Sequence, residues 1–538
     1  MRAYLQAVRL LVLLIGFYVM AVGLLAAIVA LDVVLTGVAL RQGYVTFLFL
    51  GISVAFASPL VSGLFASVRG FNRRRPDGIR VSAQEQPELW ARVRRVAEAM
   101  QTPAPAELWL VAEPVAAVWQ SSWVLGLIPG PRRMMLGIPY LTGLTERQID
   151  AVIAHELGHF ARRDTLLSGL AARNRAGLMR VLERYAEDGN GIGHAMGSMF
   201  AGYARFCLRT TQAQARLGEL AADRAAAGIA GRDTTAAALR RIPLLDAAHT
   251  RYMREYAGIG TALGLRPPAR EVHSGFRAFL DSGTWKEEER RLIADPPRER
   301  TSPYDSHPPM RERVAAIEAL PADGPGTFPG DPSPAGTGLV RDLAGTGAGT
   351  VLALPGAAEL RQLPWRDLAA EVGTAELGTE ATPVLRAGRA VLRGPADLAM
   401  LLDAVDAGRW AEVVDCMPRP GHGGHLLLDD SLRDRARADA ADALYSLALA
   451  ALVEDGRARW ELDWERSRHL EFDEGVHAAL DRAMDAAVSP GEGAEPDTSG
   501  LRDLLGLPRT GHRLSPERPP RAPGGCGSSA AGSPRPRC

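Results

Sequence analysis

Two long apolar runs stand near the start of the chain. Leu10–Leu31 and Tyr44–Val68 are each long enough to cross a bilayer, which takes about 20 helical residues. Arginines lie before the first run and after the second, whereas the short connection between the runs has Asp32 and Arg41 as its only charged residues. The pattern predicts a transmembrane helix hairpin over residues 1–75, with both ends and the following domain in the cytoplasm, because positive charge favours that side.

A cleaved signal peptide is the alternative interpretation of the first run. Its apolar stretch is longer than a usual signal core, and a second apolar run follows without an obvious processing site. A membrane anchor is therefore the favoured prediction, and the lipid bilayer is a predicted partner. A mildly apolar, glycine-rich segment at Gly191–Leu208 is predicted to be a buried or interfacial element, not a third span.

The clearest helical period lies in the middle of the chain. Thr145 and Gln148 have the spacing of a capping box, in which each side chain accepts from the other's backbone amide. An apolar stripe follows at helical spacing, formed by Ile149, Val152, Ile153, Leu157 and Phe160. Residues from about 146 onward are therefore predicted to form a helix.

Shorter patterns fill in the rest of the fold. A helix is predicted from Pro87 to about Met100, followed by strands at Glu107–Ala112 and Met134–Ile138. Residues 165–255 and about 357–485 have helical patterns, the latter including Asp397–Ala407, Ala440–Val453 and Val476–Ala487. The predicted fold class is α+β and mainly helical, with a small sheet ahead of the central helix.

Composition marks the domain boundaries. Glycine, proline, threonine and alanine dominate from about residue 322 to 356, which predicts a flexible linker, and the last residues are nearly devoid of apolar side chains, which predicts disorder. The predicted domains are a two-helix membrane anchor at 1–75, a catalytic domain at 76–320, a linker at 321–356, a helical C-terminal domain of unknown role at 357–510 and a disordered tail at 511–538.

Charge and cysteine content exclude several classes of function. The 538 residues carry 62 basic and 62 acidic side chains, so no general attraction to nucleic acid is expected. The four cysteines are scattered, which indicates neither a disulfide framework nor a thiolate metal site and agrees with a cytoplasmic location. A single lysine against a large excess of arginine suggests a GC-rich bacterial genome.

The central helix carries the sequence His155-Glu156-Leu157-Gly158-His159. Side chains four apart on a helix lie one turn apart on the same face, so His155 and His159 can converge on one metal ion. Glu156, on an adjacent face, is then placed to act as a general base. The pattern predicts one catalytic Zn²⁺ per chain.

A catalytic zinc takes three protein ligands and a water, so one ligand remains to be found. Thr165 stands where a metzincin has a third histidine, which excludes that class. Glu219 is the candidate, with Asp223 one turn further on; a solvent-exposed helical carboxylate is the alternative for Glu219. Asp223 or Asp164 suits the acceptor that orients a zinc-bound imidazole through its second nitrogen.

Four blocks in this order resemble the membrane-associated zinc metallopeptidases of the HtpX and CAAX prenyl protease type. The blocks are Ile149–Phe160, Arg163-Asp164, Arg216–Asp223, and Ser306–Pro309 followed by Arg313. The resemblance covers about residues 80–320. It implies zinc on His155, His159 and Glu219, Glu156 as general base and proton shuttle, and His307 as a stabiliser of the oxyanion.

Some positions depart from the family pattern. The edge strand that pairs with substrate usually carries an Asn-Ala pair, whereas the corresponding stretch here is Pro114–Trp119, and Gly218 stands where relatives commonly have arginine. His307, followed by two prolines, could instead belong to a rigid turn. Substrate recognition is therefore less well defined by the sequence than metal binding.

Two functional hypotheses follow. The favoured one is a membrane-anchored zinc endopeptidase that hydrolyses peptide bonds in protein or peptide substrates, with membrane-protein quality control as its implied role. The other is a membrane-tethered scaffold with little turnover, in which the C-terminal helical region binds a protein partner. Retention of Glu156 favours the first, because a scaffold has no need of a general base. Prenyl-protein processing is excluded, since two spans cannot enclose an intramembrane chamber.

Overall fold

A computed structural model gives the fold of the chain. It describes residues 2–41, 76–123, 128–161, 202, 216–297, 308–321, 334–418, 429–488 and 495–508. Contacts between Cα atoms divide the chain into two compact units. Unit 1 comprises Met1–Arg254 and Pro268–Leu360, and unit 2 comprises Glu255–Pro267 and Arg361–Cys538.

The described residues form an α+β fold that is mainly helical, as predicted. Its α-helices are α1 (Arg2–Arg41), α2 (Pro87–Ala99), α3 (Ile138–Gly143), α4 (Glu146–Ala161), α5 (216–230), α6 (Arg232–Tyr252), α7 (Val272–Asp281), α8 (Gly283–Ala294), α9 (Met310–Glu318), α10 (Leu343–Leu352), α11 (Trp365–Leu392), α12 (Leu398–Asp406), α13 (Trp410–Asp415), α14 (Asp429–Glu454), α15 (Val476–Val488) and α16 (Ser499–Leu505). Its strands are β1 (Gly78–Val81), β2 (Glu107–Val111), β3 (Ala116–Trp123), β4 (Ile128–Gly137), β5 (Leu265–Arg266), β6 (Arg361–Gln362), β7 (Ala458–Asp463) and β8 (Ser467–Phe472).

The N-terminal segment does not confirm the predicted hairpin. Helix α1 covers the first apolar run, and the second run falls outside the described residues. Within the part of the chain that the structure describes, no helix combines the length and the hydropathy that a membrane span requires.

Unit 1 contains a four-stranded sheet in the order β1-β2-β4-β3. Strands β2 and β4 are parallel, and the other two pairings are antiparallel, so β3 forms one edge. Burial does not alternate along β2 as it would in a strand with one exposed face, because Trp109 is buried as well as Leu108 and Leu110. The predicted strands at 107–112 and 134–138 are confirmed, and β4 begins six residues earlier than predicted.

Helix α4 begins as its sequence predicts. The backbone amide of Gln148 donates to Oγ1 of Thr145 at 3.3 Å, and the amide of Thr145 donates to Oε1 of Gln148 at 3.0 Å. Both bonds of the capping box are therefore formed. Ile149, Ile153 and Leu157 are at most 1% exposed, so the apolar stripe faces the core and fixes the rotation of α4.

Residues 334–356 differ from the flexible linker that their composition predicts. The Pro334 carbonyl accepts from the amide of Glu146, and the Gly336 amide donates to Leu144, which joins this segment to the backbone just ahead of α4. Helix α10 follows and buries Thr350 and Val351. Small residues were interpreted as a sign of flexibility, but here they allow close packing against the rest of unit 1.

Gly347 is the tightest point of that packing. A Cβ atom at this position would lie 2.5 Å from Cδ2 of the buried His273 on α7. We expect Gly347→Ala to destabilise unit 1 by about 1–3 kcal/mol, because neither helix can move away without opening the core. Hydrogen exchange of peptides from α7 and α10 measures this loss. Gly228→Ala is the control, because its Cβ would meet nothing within 4 Å, and a small gain of roughly 0.5–1 kcal/mol is expected there.

Two histidines in the core of unit 1 make its stability depend on pH. Burial lowers the pKa of His249 and of His273 to about 4, and His273 is only 4% exposed and bonded to Thr350. An unfolded histidine binds a proton near pH 6.5, so the unfolded state binds more protons between pH 6.5 and 4. The stability that these two histidines contribute is therefore fully present above pH 6.5 and is lost as the pH drops toward 4.

Each histidine is expected to account for a loss of up to about 3 kcal/mol over this range. Hydrogen exchange of α6 and α7 peptides, corrected for the intrinsic pH dependence of exchange, measures the effect. The same comparison in a His273→Gln variant should show a shallower slope between pH 7 and 5. An equal slope in both proteins would contradict the assignment of this proton uptake to His273.

Unit 2 is a helical core with a β-hairpin. Helices α11, α12, α14 and α15 contribute buried leucines, valines and alanines to one cluster, and Leu401, Leu444, Leu452 and Leu480 have no exposed surface. The predicted helices at 397–407, 440–453 and 476–487 are confirmed, with Asp397 capping α12 through the amide of Met400.

The hairpin β7–β8 was not predicted, because residues 357–485 were interpreted as helical throughout. Its tryptophans are packed within unit 2: Trp460 lies against Gly373 of α11, and the ring of Trp464 lies 5.2 Å from that of Tyr256. Trp365 meets the edge of Trp464 at 5.6 Å. These aromatic side chains are half-buried and pack against other residues of unit 2.

Candidate metal centre

Helices α4 and α5 cross at a small-residue contact that brings their polar side chains together. A Cβ atom on Gly158 would lie 3.1 Å from Cα of Ala222, which is closer than an ordinary van der Waals contact. The close approach places Glu219 and Asp223 of α5 beside His155 and the rest of the motif on α4. Gly158 therefore has a structural reason to be a glycine.

Three side chains converge at this crossing. The candidate ligand atoms of His155, His159 and Glu219 all lie within 4.8 Å of one another. Nε2 of His155 is 3.5 Å from one Glu219 oxygen, and Nε2 of His159 is 3.7 Å from the other. Two imidazoles and one carboxylate are a donor set of catalytic zinc, with the fourth position left for water. The residues present therefore fit a zinc ion.

The three side chains differ in their access to solvent. Glu219 is 6% exposed, and the side chain of His155 is 14% exposed, whereas that of His159 is 34% exposed. Among the residues that the structure describes, the site is therefore closed on the side of α5 and open on the side of His159. A fourth ligand or a substrate group can approach from that side.

Asp223 and Arg313 form a buried ion pair behind His155. Nδ1 of His155 lies 2.9 Å from Oδ1 of Asp223, and Arg313 on α9 donates to both oxygens of that carboxylate, at 2.7 and 2.9 Å. Burial raises the pKa of Asp223, but the hydrogen bonds from Arg313 and His155 outweigh it and hold the pKa below its usual range. Asp223 is thus an anion next to a ring nitrogen.

The protonation of His155 follows from the same neighbours. Burial lowers the pKa of His155, but the hydrogen bonds with Asp223 and Glu219 raise it by more than burial lowers it. The resulting pKa is about 9 in the metal-free chain. A metal ligand must be a neutral imidazole on the nitrogen that binds. Metal binding at neutral pH therefore requires that this proton be released, and acid should oppose it.

The side chain of Glu156, a residue of α4, contacts the edge strand β3. The amide of Val118 donates to Oε2 of Glu156 at 3.3 Å. Burial raises the pKa of Glu156 to about 7, although the charge on His155 and the Val118 amide partly oppose this shift. A carboxylate with such a pKa can accept and return a proton near neutrality.

The structure brings together five of the seven predicted site residues. His155, His159, Glu219, Glu156 and Asp223 share one site, and they include the only group of three or more potential metal ligands found among the described residues. Asp164 and His307 lie outside the described residues. The histidines of the glycine-rich stretch 421–425 also lie outside them.

Three contributions were missed by reasoning from the sequence. Arg313 was noted only as part of a matching block, yet it lies one helical turn before the buried Ile317, so the burial pattern of α9 could have placed it inside. Gly158 could have been recognised as a helix-crossing point from its place between the histidines. The Val118 amide carries no side-chain signal, so no sequence pattern could have identified it.

Comparisons with known proteins agree with this geometry. Residues 83–320 match the family described as "Peptidase family M48". The "Protease HtpX homolog" of Ralstonia nicotianae is 29% identical over 322 residues, which covers 57% of this chain and 96% of that protein. The homologue of Kineococcus radiotolerans is 27% identical over 245 residues, covering 45% and 75% respectively.

"Protease HtpX" of Shewanella denitrificans is 28% identical over 226 residues, or 38% of this chain and 67% of that protein. No solved structure matches the chain. The M48 match begins ahead of α2 and ends just after α9, so it includes each side chain of the candidate metal centre. Residues 83–320 thus form an HtpX-like M48 peptidase domain, and the protein is a metalloprotease.

Proposed function

We propose that the protein is a zinc endopeptidase in which His155, His159 and Glu219 hold the ion and Glu156 is the general base. The convergence of these three donors within 4.8 Å carries the proposal. Their position on two crossing helices supports it, since rigid elements hold ligands more accurately than loops do.

Zinc bound there would acidify a water molecule and polarise the scissile carbonyl. Glu156 accepts the proton of the attacking water and passes it to the leaving amine, a role that its near-neutral pKa supports. Asp223 accepts from Nδ1 of His155, which leaves Nε2 as the nitrogen that would bind the ion. The Val118 amide holds Glu156 beside the edge strand.

Substrates are proposed to be proteins or peptides that reach the site from the side of His159. The exposure of this imidazole, in contrast to the buried Glu219, supports entry at that side. Strand β3 is the edge of the sheet next to Glu156, and an edge strand can pair with an extended segment of another chain. His307, as a stabiliser of the oxyanion, and Asp164 remain predictions from the sequence.

Membrane attachment and a role in membrane-protein quality control are part of the proposal. The attachment is supported by the sequence, in which two apolar runs are bounded by arginines on the outside of the pair, whereas the role is implied by the resemblance of the sequence to the HtpX type. Carbonate extraction of membranes from cells that express the full chain tests the attachment. Retention in the membrane pellet is expected, and release into the alkaline supernatant would contradict it.

Metal dependence is the direct test of the peptidase. We expect the full chain, purified in detergent, to contain about one zinc per molecule and to cleave an unfolded casein-like protein. Chelation should abolish cleavage, and added zinc should restore it. His159→Gln should lose both metal and cleavage, because one of three protein ligands is gone.

His477→Gln is the matched control for that variant. His477 is an exposed histidine on α15 with an acidic residue, Asp481, one turn away. Its replacement should leave zinc content and cleavage unchanged. Zinc binding without cleavage in the wild type would instead favour the tethered scaffold, and a wild-type protein without zinc would overturn the proposed metal site.

A further inference from the structure

Arg313 reaches the candidate metal centre from helix α9. Its guanidinium donates to both Asp223 oxygens, lies 3.4 Å from Nδ1 of His155 and 3.8 Å from an oxygen of Glu219. Its side chain is 9% exposed. An arginine so deeply buried is held in place by the anions around it.

The two bonds from Arg313 fix the Asp223 carboxylate in orientation as well as in position. A planar guanidinium matches a carboxylate in a fork, so both groups must share a plane. Oδ1 of Asp223 then accepts from Arg313 at 2.7 Å and faces Nδ1 of His155 at 2.9 Å. The direction of the imidazole thus depends on a residue 158 positions away in the sequence.

We propose that Arg313 is a positioning residue that orients His155 through Asp223 and so sets the zinc affinity of the site. This inference rests on the proposed function, because it takes His155 as a zinc ligand. Arg313 lies against Nδ1 of His155, and its side chain is largely buried. Its effect should therefore appear in metal binding and in kcat, with little change in KM.

Lysine cannot replace Arg313 in this role. An ammonium group keeps the charge but cannot donate two parallel bonds from one plane. Arg313→Lys should therefore fold and still bind zinc more weakly, which separates the fork geometry from the charge. Residues that orient a zinc ligand from outside the coordination shell typically change metal affinity by about 10–100-fold.

The test is a zinc titration of the metal-free full chain against a competing chelating dye. We expect the zinc dissociation constant to rise about tenfold in Arg313→Lys and about 100-fold in Arg313→Gln. Glu318→Gln is the control, because Glu318 is an exposed residue of the same helix, paired with Arg240 of α6. Its dissociation constant should stay within about twofold of the wild type.

Hydrogen exchange of α5 and α9 peptides shows whether each variant is folded. If Arg313→Gln does not fold, Arg313→Lys decides the question alone. Wild-type affinity in a folded Arg313→Lys protein, or an equal weakening in Glu318→Gln, would overturn the inference. A wild-type protein that binds no zinc would refute the proposed function itself, which is a distinct outcome.

A second measurement distinguishes a residue that positions His155 from one that only stabilises the fold. At saturating zinc, the Arg313→Lys protein should show a lower kcat with KM within about twofold of the wild type. A rise in KM with unchanged kcat would place Arg313 in substrate binding and so contradict its role as a positioning residue.

Discussion

Glu156→Gln should abolish peptide hydrolysis while leaving zinc in place. The amide has nearly the same shape as the carboxylate, but it cannot accept the proton of the attacking water. General-base catalysis typically contributes about 10²–10⁴-fold, so kcat should fall by that factor. Zinc content by elemental analysis should remain at one per chain, because Glu156 is not among the three converging donors.

The matched control is Glu113→Gln, which removes an exposed carboxylate from the segment between β2 and β3. Its cleavage rate should equal that of the wild type. If Glu156→Gln keeps its full rate, another group is the base and the proposed mechanism is wrong. If the Glu156→Gln protein loses zinc as well as activity, Glu156 supports metal binding and its role as a general base is not established.

Arg313→Met should cause the largest loss of stability of any single change considered for unit 1. It leaves the carboxylate of Asp223, which is 1% exposed, with His155 as its remaining ion-pair partner. Removing one partner of a buried ion pair typically costs about 3–5 kcal/mol. We expect a loss of this size in the metal-free protein.

Hydrogen exchange of peptides from α5, α6 and α9 is the suitable measurement, because a chain with two compact units has no single free energy of unfolding. Arg240→Met is the comparison. It breaks the exposed pair with Glu318 between α6 and α9, and such surface pairs contribute about 0–1 kcal/mol. Similar losses in both variants would show that the Arg313 pair is no more important than a surface contact.

Local patterns predicted local structure well. The capping box at Thr145 and the stripe behind it gave the start and the rotation of α4, because both depend on neighbours within two turns. The same holds for α2 and for the extent of α12. The spacing of the histidines in the motif was informative for the same reason.

Features that depend on distant partners were missed. Residues 334–356 have a composition typical of a linker, and only their backbone bonds to Glu146 and Leu144 reveal that they belong to unit 1. The hairpin β7–β8 packs tryptophans against α11, which overrides the helical tendency inferred for that region. Among the site residues, Glu219 could be predicted because a catalytic zinc requires a third protein ligand. Arg313 is not a metal ligand, so no such rule pointed to it.

The contact between α9 and the motif helix has a consequence for biosynthesis. His155 and His159 are made first, Glu219 about sixty residues later, and Arg313 almost a hundred residues after that. A chain still on the ribosome can therefore hold all three proposed metal donors while Arg313, the residue proposed to orient His155, has yet to emerge. Full metal affinity should be acquired only after α9 has docked, so that an incomplete chain carries an immature protease.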